Sequence, residues 1–123
     1  MEINDITGQI VSAAMKVHTA LGPGLFESTY KACMRYELQL RGLRAEHEHA
    51  LPIIYGDMKI DNGYRVDLFV EDLVIVELKC VAKLLPFHQA RLLAYLKLSR
   101  RHVGLLINFN VAHLRHGIKR MAN

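Results

Sequence analysis

The sequence predicts an α/β protein: one mixed sheet with helices packed around it. Three observations predict it. Two stretches near the N-terminus carry apolar residues at helical spacing. The middle of the chain, from Arg44 to Lys79, reads as strands and turns. Finally, a helical stretch opening at Pro86 separates two apolar runs of strand length, Val74–Lys79 and Val103–Phe109, as a strand–helix–strand crossover requires.

Ile6, Ile10, Ala13, Ala14, Val17 and Leu21 form the first helical stripe, with Asn4-Asp5 as the expected cap and Gly22-Pro23-Gly24 as the stop. A second helix is expected from about Leu25 to Leu40, with Phe26, Tyr30, Cys33, Met34 and Leu38 on its apolar face and Gly42 closing it. A tight turn should leave the two helices antiparallel. Arg44 to Leu51 alternates as a strand, which Pro52-Ile53-Ile54-Tyr55 either continues or follows with another. Gly56-Asp57 and Asp61-Asn62-Gly63 read as turns. Tyr64 to Lys79 then reads as two short strands around Glu71-Asp72. Phe87, Ala90, Leu93, Ala94 and Leu98 continue a helix from Pro86, proline suiting the first helical position. Val103–Phe109 is apolar throughout, as expected of a strand buried on both faces beside Val74–Lys79. The basic tail from Val111 to Asn123 carries no clear element.

With 123 residues the chain reads as one domain, 1–123, large enough to bury a core. A hydrophobic fraction of 51% with 23% charged residues is that of a soluble globule and excludes a disordered tail. No apolar run reaches the roughly 18 residues of a membrane span, and Met1-Glu2-Ile3-Asn4-Asp5 lacks a signal-peptide pattern. Cys33 and Cys80 are isolated, so reduced thiols and a cytoplasmic setting are expected. Their spacing offers no zinc site. The net charge of +4 is compatible with a polyanionic partner but equally with solvated surface.

The chemistry concentrates in one hairpin. Glu77 and Lys79 share a strand face, and Asp67 falls across the hairpin from Glu77, so two carboxylates can grip one cation. Hydrolysis of a phosphodiester needs a cation to polarise the phosphate, an activated water and compensation of the developing charge. Magnesium or manganese takes oxygen ligands, which Asp67, Glu77 and the main-chain carbonyl of Leu78 would supply. Lys79 would orient or deprotonate the water, or hold a phosphate oxygen. Glu27, on the second helix, would be an outer carboxylate. The bland alternative is Asp67 paired with Lys79 in solvent. Against it, Val74-Ile75-Val76 puts Glu77 at the end of a buried strand, where an unpaired charge is costly.

Gly24-Leu25-Phe26-Glu27-Ser28-Thr29-Tyr30 matches Gly-x-x-Glu-x-x-Tyr and follows Val17-His18 and Leu21-Gly22-Pro23. Together with Asp67, Ile75-Val76-Glu77-Leu78-Lys79 and Gly104-Leu105-Leu106-Ile107-Asn108-Phe109, it makes the chain resemble, over nearly its whole length, the GxxExxY family of the PD-(D/E)XK nuclease superfamily. The resemblance implies a restriction-endonuclease-like mixed β-sheet flanked by helices, with a metal site at one edge. Glu27 then matches the helical acidic residue, Asp67 the first metal ligand, and Glu77 with Lys79 the Glu-x-Lys pair. Two positions depart from the family pattern. Arg91 stands four residues before Tyr95, where the pattern has Gln, while Gln89 sits two residues earlier; Arg91 would contact a phosphate or pair with Glu77 and block the metal. Ala82 replaces an acidic residue just past the strand.

Accessory roles are expected for His18, Tyr30, Gln89 and Tyr95, with packing as the alternative; the hydroxyls of Tyr30 and Tyr95 would steady Glu27 or the site. Lys97, Arg100 and Arg101 form a basic corner, either a phosphate contact or a solvated helix end. The leading reading is a Mg2+- or Mn2+-dependent nuclease acting on DNA or RNA. The competitors are a nucleic-acid-binding module without turnover, motivated by Arg91 and Ala82, and an assembly module using the apolar strand edge. Small size alone suggests a homodimer or a partner for specificity.

Overall fold

The computed structural model describes residues 1–123, with Asn62 described by its backbone alone. Helix α1 (Ile3–Leu21) and helix α2 (Glu27–Leu40) precede strands β1 (Ala45–Tyr55), β2 (Met58–Val70) and β3 (Val74–Lys79). Helix α3 (Pro86–Ser99), strand β4 (Val103–Asn108), a 3₁₀ turn (Leu114–Gly117) and strand β5 (Ile118–Ala122) complete the chain. The five strands form one mixed sheet in the order β1-β2-β3-β4-β5, antiparallel except for the parallel β3–β4 pair that α3 connects.

The two helical stripes and the crossover follow the sequence reading. Ile6, Ile10, Ala13, Ala14 and Val17 of α1 are buried with Tyr30, Met34 and Leu38 of α2 against Leu68, Val76, Leu78 and Leu105 of the sheet. Contacts of Arg41 with Gln9 and of Lys16 with Glu37 show that the two helices run antiparallel. The opposite face packs Leu92, Tyr95 and Leu96 of α3 on Val66, Phe69, Ile75 and Leu106. All six residues of β4 are buried, as a strand covered by helices on both faces must be.

Four expectations need correction. The cap of α1 is Glu2, not Asn4-Asp5: Asp5 lies in the first turn and its Oδ2 accepts from the Glu2 N–H at 3.2 Å. Phe26 caps α2 from outside and is 82% exposed, so it is no part of the apolar face. Asp61-Asn62-Gly63 does not turn the chain; β2 runs through it. The pairing moves from Leu51↔Tyr64 to Ile53↔Ile60, so three residues of β2 bulge opposite Pro52. Proline has no N–H for the ladder, and the turn-forming residues absorb the mismatch. Finally, the tail forms the 3₁₀ turn and β5, which pairs with β4 from Val103↔Ala122 to Ile107↔Ile118.

One irregularity positions everything that follows. Val66 and Leu68, two residues apart, would share a face of a regular strand, yet Val66 packs towards α3 and Leu68 towards α1 and α2. On β1, Ala45 and Leu51 are likewise buried on opposite faces although six residues apart. Between them Glu48 has φ +50°, left-handed backbone that a non-glycine residue adopts at a cost. Strands β1 and β2 therefore swap faces at the level of Glu48 and Asp67, while β3 and β4 alternate regularly.

Candidate active site

The β2–β3 ladder pairs Val70↔Val74, Phe69↔Ile75 and Leu68↔Val76, and the next pair in register is Asp67 with Glu77. There side chains take over from backbone. The Leu78 N–H donates to Asp67 Oδ2 at 2.8 Å, and the Asp67 N–H donates to Glu77 Oε1 at 3.3 Å. Both carboxyl groups are thus fixed by main chain of the opposite strand, just past the last ladder pair. The tight turn behind them is also built: Glu71 and Asp72 have φ +53° and +57°. Glu71 exchanges hydrogen bonds with the main chain of Arg44, its N–H donating to the Arg44 carbonyl at 2.8 Å and its carboxylate accepting at 2.6 Å.

Burial and charge shape the electrostatics. Glu77 is 8% exposed. Burial first, and then the Asp67 charge, push its carboxyl up to about 9, with Lys79 pulling the other way. Glu27 is raised in the same sense, by burial and then by Asp67, against the opposing charges of Lys79 and Lys31. Glu27, Asp67, Glu77 and Lys79 therefore act on one another across a single pocket of charge. Lys79 is half-buried at the end of β3, and its carbonyl accepts from the Phe109 N–H at 2.9 Å.

Two residues of this cluster escaped the sequence reading. Lys31 Nζ lies 3.1 Å from Asp67 Oδ1 and also pairs with the Glu48 carboxylate. Burial depresses its ammonium, but these two carboxylates outweigh that and raise it overall. The signal for Lys31 was its place one turn after Glu27 on the same helix face. Nothing in the alternating pattern of β1 marked Glu48, because its role depends on a positive φ that the sequence does not advertise for glutamate.

The accessory residues separate. The Tyr30 hydroxyl bonds to main chain rather than to Glu27. Tyr30 stacks on Phe109 at 4.5 Å, donates its hydroxyl proton to the Gly22 carbonyl and accepts from the Leu25 N–H at 3.2 Å, tying down the α1–α2 turn. His18 Nε2 lies 2.8 Å from the Val111 carbonyl, buried between α1 and the chain after β4. Tyr95 is buried beside Tyr64, and its hydroxyl is raised by burial and then by the Glu77 charge, which places it on the flank of the carboxylates. Gln89 lines a cleft with Asn108. Arg91 does not pair with Glu77. It is exposed, with its guanidinium 5.8 Å from the Phe87 ring. Lys97, Arg100 and Arg101 sit at the opposite end of β3, where Arg101 Nε donates to the Asp72 carbonyl at 2.7 Å and pairs with its carboxylate.

A model of the PD-(D/E)XK nuclease superfamily matches residues 4–121. The chain belongs to that superfamily. Its mixed sheet with helices on both faces is the restriction-endonuclease-like fold of PD-(D/E)XK nucleases. No curated protein and no solved structure matches the chain. As in other PD-(D/E)XK chains, a divalent cation is the implied cofactor, and the donor set fits one. Asp67 and Glu77 converge, and burial together with the Asp67 charge raises the Glu77 carboxyl, a setting that favours a bound cation. Among the described residues no three His, Cys, Asp or Glu side chains are close enough to hold a metal alone. No helix is long and apolar enough to cross a membrane.

Proposed function

We propose that the chain is a GxxExxY-type nuclease domain, one unit over residues 1–123, that hydrolyses phosphodiester bonds of DNA or RNA with Mg2+ or Mn2+. The observation that carries this reading is the Asp67–Glu77 pair, each carboxyl group bonded to main chain of the opposite strand where the ladder gives way. Asp67, Glu77 and the Leu78 carbonyl would hold the cation, with Glu27 as an outer carboxylate. When bound, the cation supplies Lewis-acid polarisation of the phosphate and a lowered pKa for water. The protein's own part is positional. Asp67 is locked by the Leu78 N–H, Lys79 is held at the β3 end to orient water or a phosphate oxygen, and Tyr95 closes the flank of Glu77. Free Cys33 and Cys80 favour a reducing, cytoplasmic setting, and the small size favours action as a homodimer or with a partner.

The test is calorimetry with Mn2+ at near-neutral pH on wild type and Asp67→Ala, followed by an oligonucleotide cleavage screen. Saturable binding lost in Asp67→Ala, together with metal-dependent cleavage lost in the same variant, is expected. Unchanged cleavage by Asp67→Ala would sink the assignment. A second reading, binding without turnover, is favoured by one observation: the Lys31 ammonium already occupies Asp67 Oδ1. It predicts salt-sensitive nucleic-acid binding that survives Glu77→Ala, with no cleavage by wild type.

A further inference from the structure

Beside the carboxylate cluster, at the same end of the sheet, lies a second feature with the opposite character. Lys79 and Asn108 are register partners at the ends of the parallel strands β3 and β4. Beyond Asn108 opens a cleft of about 310 Å³, with Lys83, Gln89, Asn108, His116 and Lys119 among its walls. Among the described residues no carboxylate lines it, and neither lysine has an acidic partner. Two lysines thus line one cleft with no carboxylate among its walls to neutralise them.

The cleft is built rather than incidental. Asn108 clamps the segment after β3 in both directions, its Oδ1 accepting from the Val81 N–H at 3.1 Å and its Nδ2 donating to the Val81 carbonyl at 2.9 Å. The same Oδ1 accepts from the Asn110 N–H at 3.2 Å. On the other wall Gly117 packs so tightly on the Asn108 carbonyl that a methyl group there would clash. Lys83 and Lys119 are therefore carried by segments fixed to one buried residue, Asn108, which is 2% exposed.

We infer that this cleft is a phosphate-binding subsite that holds the substrate backbone next to the scissile position. The inference rests on the nuclease reading and deepens it. A cation bound at Asp67 and Glu77 addresses the reacting phosphate, while a neighbouring phosphodiester along the same strand has no compensating charge there. Lys83 and Lys119 supply that charge, and the Gln89 and His116 side chains supply hydrogen-bonding groups beside it. A pocket of cations contacts the backbone without reading bases, so the subsite positions the strand and does not select sequence. It also displaces the basic corner of Lys97, Arg100 and Arg101 as the main track: that corner lies beyond the hairpin turn, at the far end of β3, and Arg101 is already spent on Asp72.

The experiment is fluorescence anisotropy with a labelled single-stranded oligonucleotide, as DNA and as RNA, in EDTA to prevent cleavage, over a series of salt concentrations. Lys83→Ala/Lys119→Ala should weaken binding about tenfold at low salt. It should also lower the slope of log affinity on log salt by about 1.4, near 0.7 for each lost phosphate contact. Lys83→Arg/Lys119→Arg should restore both, and Lys97→Ala/Arg100→Ala should leave both close to wild type. Wild-type affinity and slope in the Lys83/Lys119 alanine pair would overturn the subsite and leave the nuclease reading standing. So would a loss confined to the Lys97/Arg100 pair. Absence of salt-dependent binding by the wild type to either oligonucleotide would overturn both.

Discussion

Glu77 is the residue where stability and reactivity meet. Its folded-state carboxyl titrates near 9, against an ordinary value of 4.5, because it is buried beside Asp67. The sign follows from linkage. Between those values the unfolded chain has released its proton and the folded chain still holds it, so rising pH favours unfolding. The metal-free protein should lose stability as pH rises from about 5 towards 9. Glu77→Gln, which keeps the shape and removes the titration, should flatten that slope and melt several degrees higher at pH 8. Thermal melts in EDTA at several pH values check this; an equally steep slope in the variant refutes it. Lys31 raises the complementary question. Its ammonium sits on the Asp67 oxygen nearest α2 and competes with a divalent ion for the same charge. Lys31→Met should therefore tighten Mn2+ binding by several-fold in calorimetry, whereas a purely structural ion pair would leave affinity unchanged and lower only the melting temperature.

At the scale of elements, the α1–α2 turn shows how a motif residue can serve packing. The Gly-x-x-Glu-x-x-Tyr match suggested that Tyr30 steadies Glu27. Instead its hydroxyl satisfies the Gly22 carbonyl and the Leu25 N–H, while the ring stacks on Phe109. Tyr30→Phe removes both bonds at a part-buried turn, a cost of about 1 kcal/mol that urea denaturation should detect. The hairpin was legible because apolar runs around Glu71-Asp72 fix its register, and register alone brings Asp67 opposite Glu77. The face swap was not legible. Alternation predicts that Val66 and Leu68 agree, and only the left-handed backbone at Glu48, with the side-chain bonds replacing the ladder, makes them differ. Asp61-Asn62-Gly63 misled for a related reason: the residues that favour a turn also suit a bulge, and Pro52 on the neighbouring strand decided between them. β5 was missed because five residues with two cations carry too little apolar pattern to stand out before their partner strand is known.

For the whole molecule, the strand–helix–strand crossover and the two helical stripes were readable because each buries a periodic face, and periodicity survives in sequence. Long-range charge was not. Lys83 and Lys119 are separated by α3 and β4 in the chain and line one cleft whose neighbouring segments pack on Asn108. Lys97, Arg100 and Arg101, a phosphate contact or a solvated helix end by sequence, lie at the end of the sheet away from Glu77.

The strand order across the sheet repeats the order along the chain. A ribosome would therefore deliver the sheet from one side to the other, each strand emerging beside the last. Glu27, Lys31, Glu48, Asp67, Glu77 and Lys79 have all been synthesised before α3 and β4 exist. In such a nascent chain neither Leu106, the β4 partner of Glu77, nor Tyr95, whose hydroxyl feels the Glu77 charge, is yet in place. The charged cluster is laid down first, and the elements that complete its surroundings follow it out.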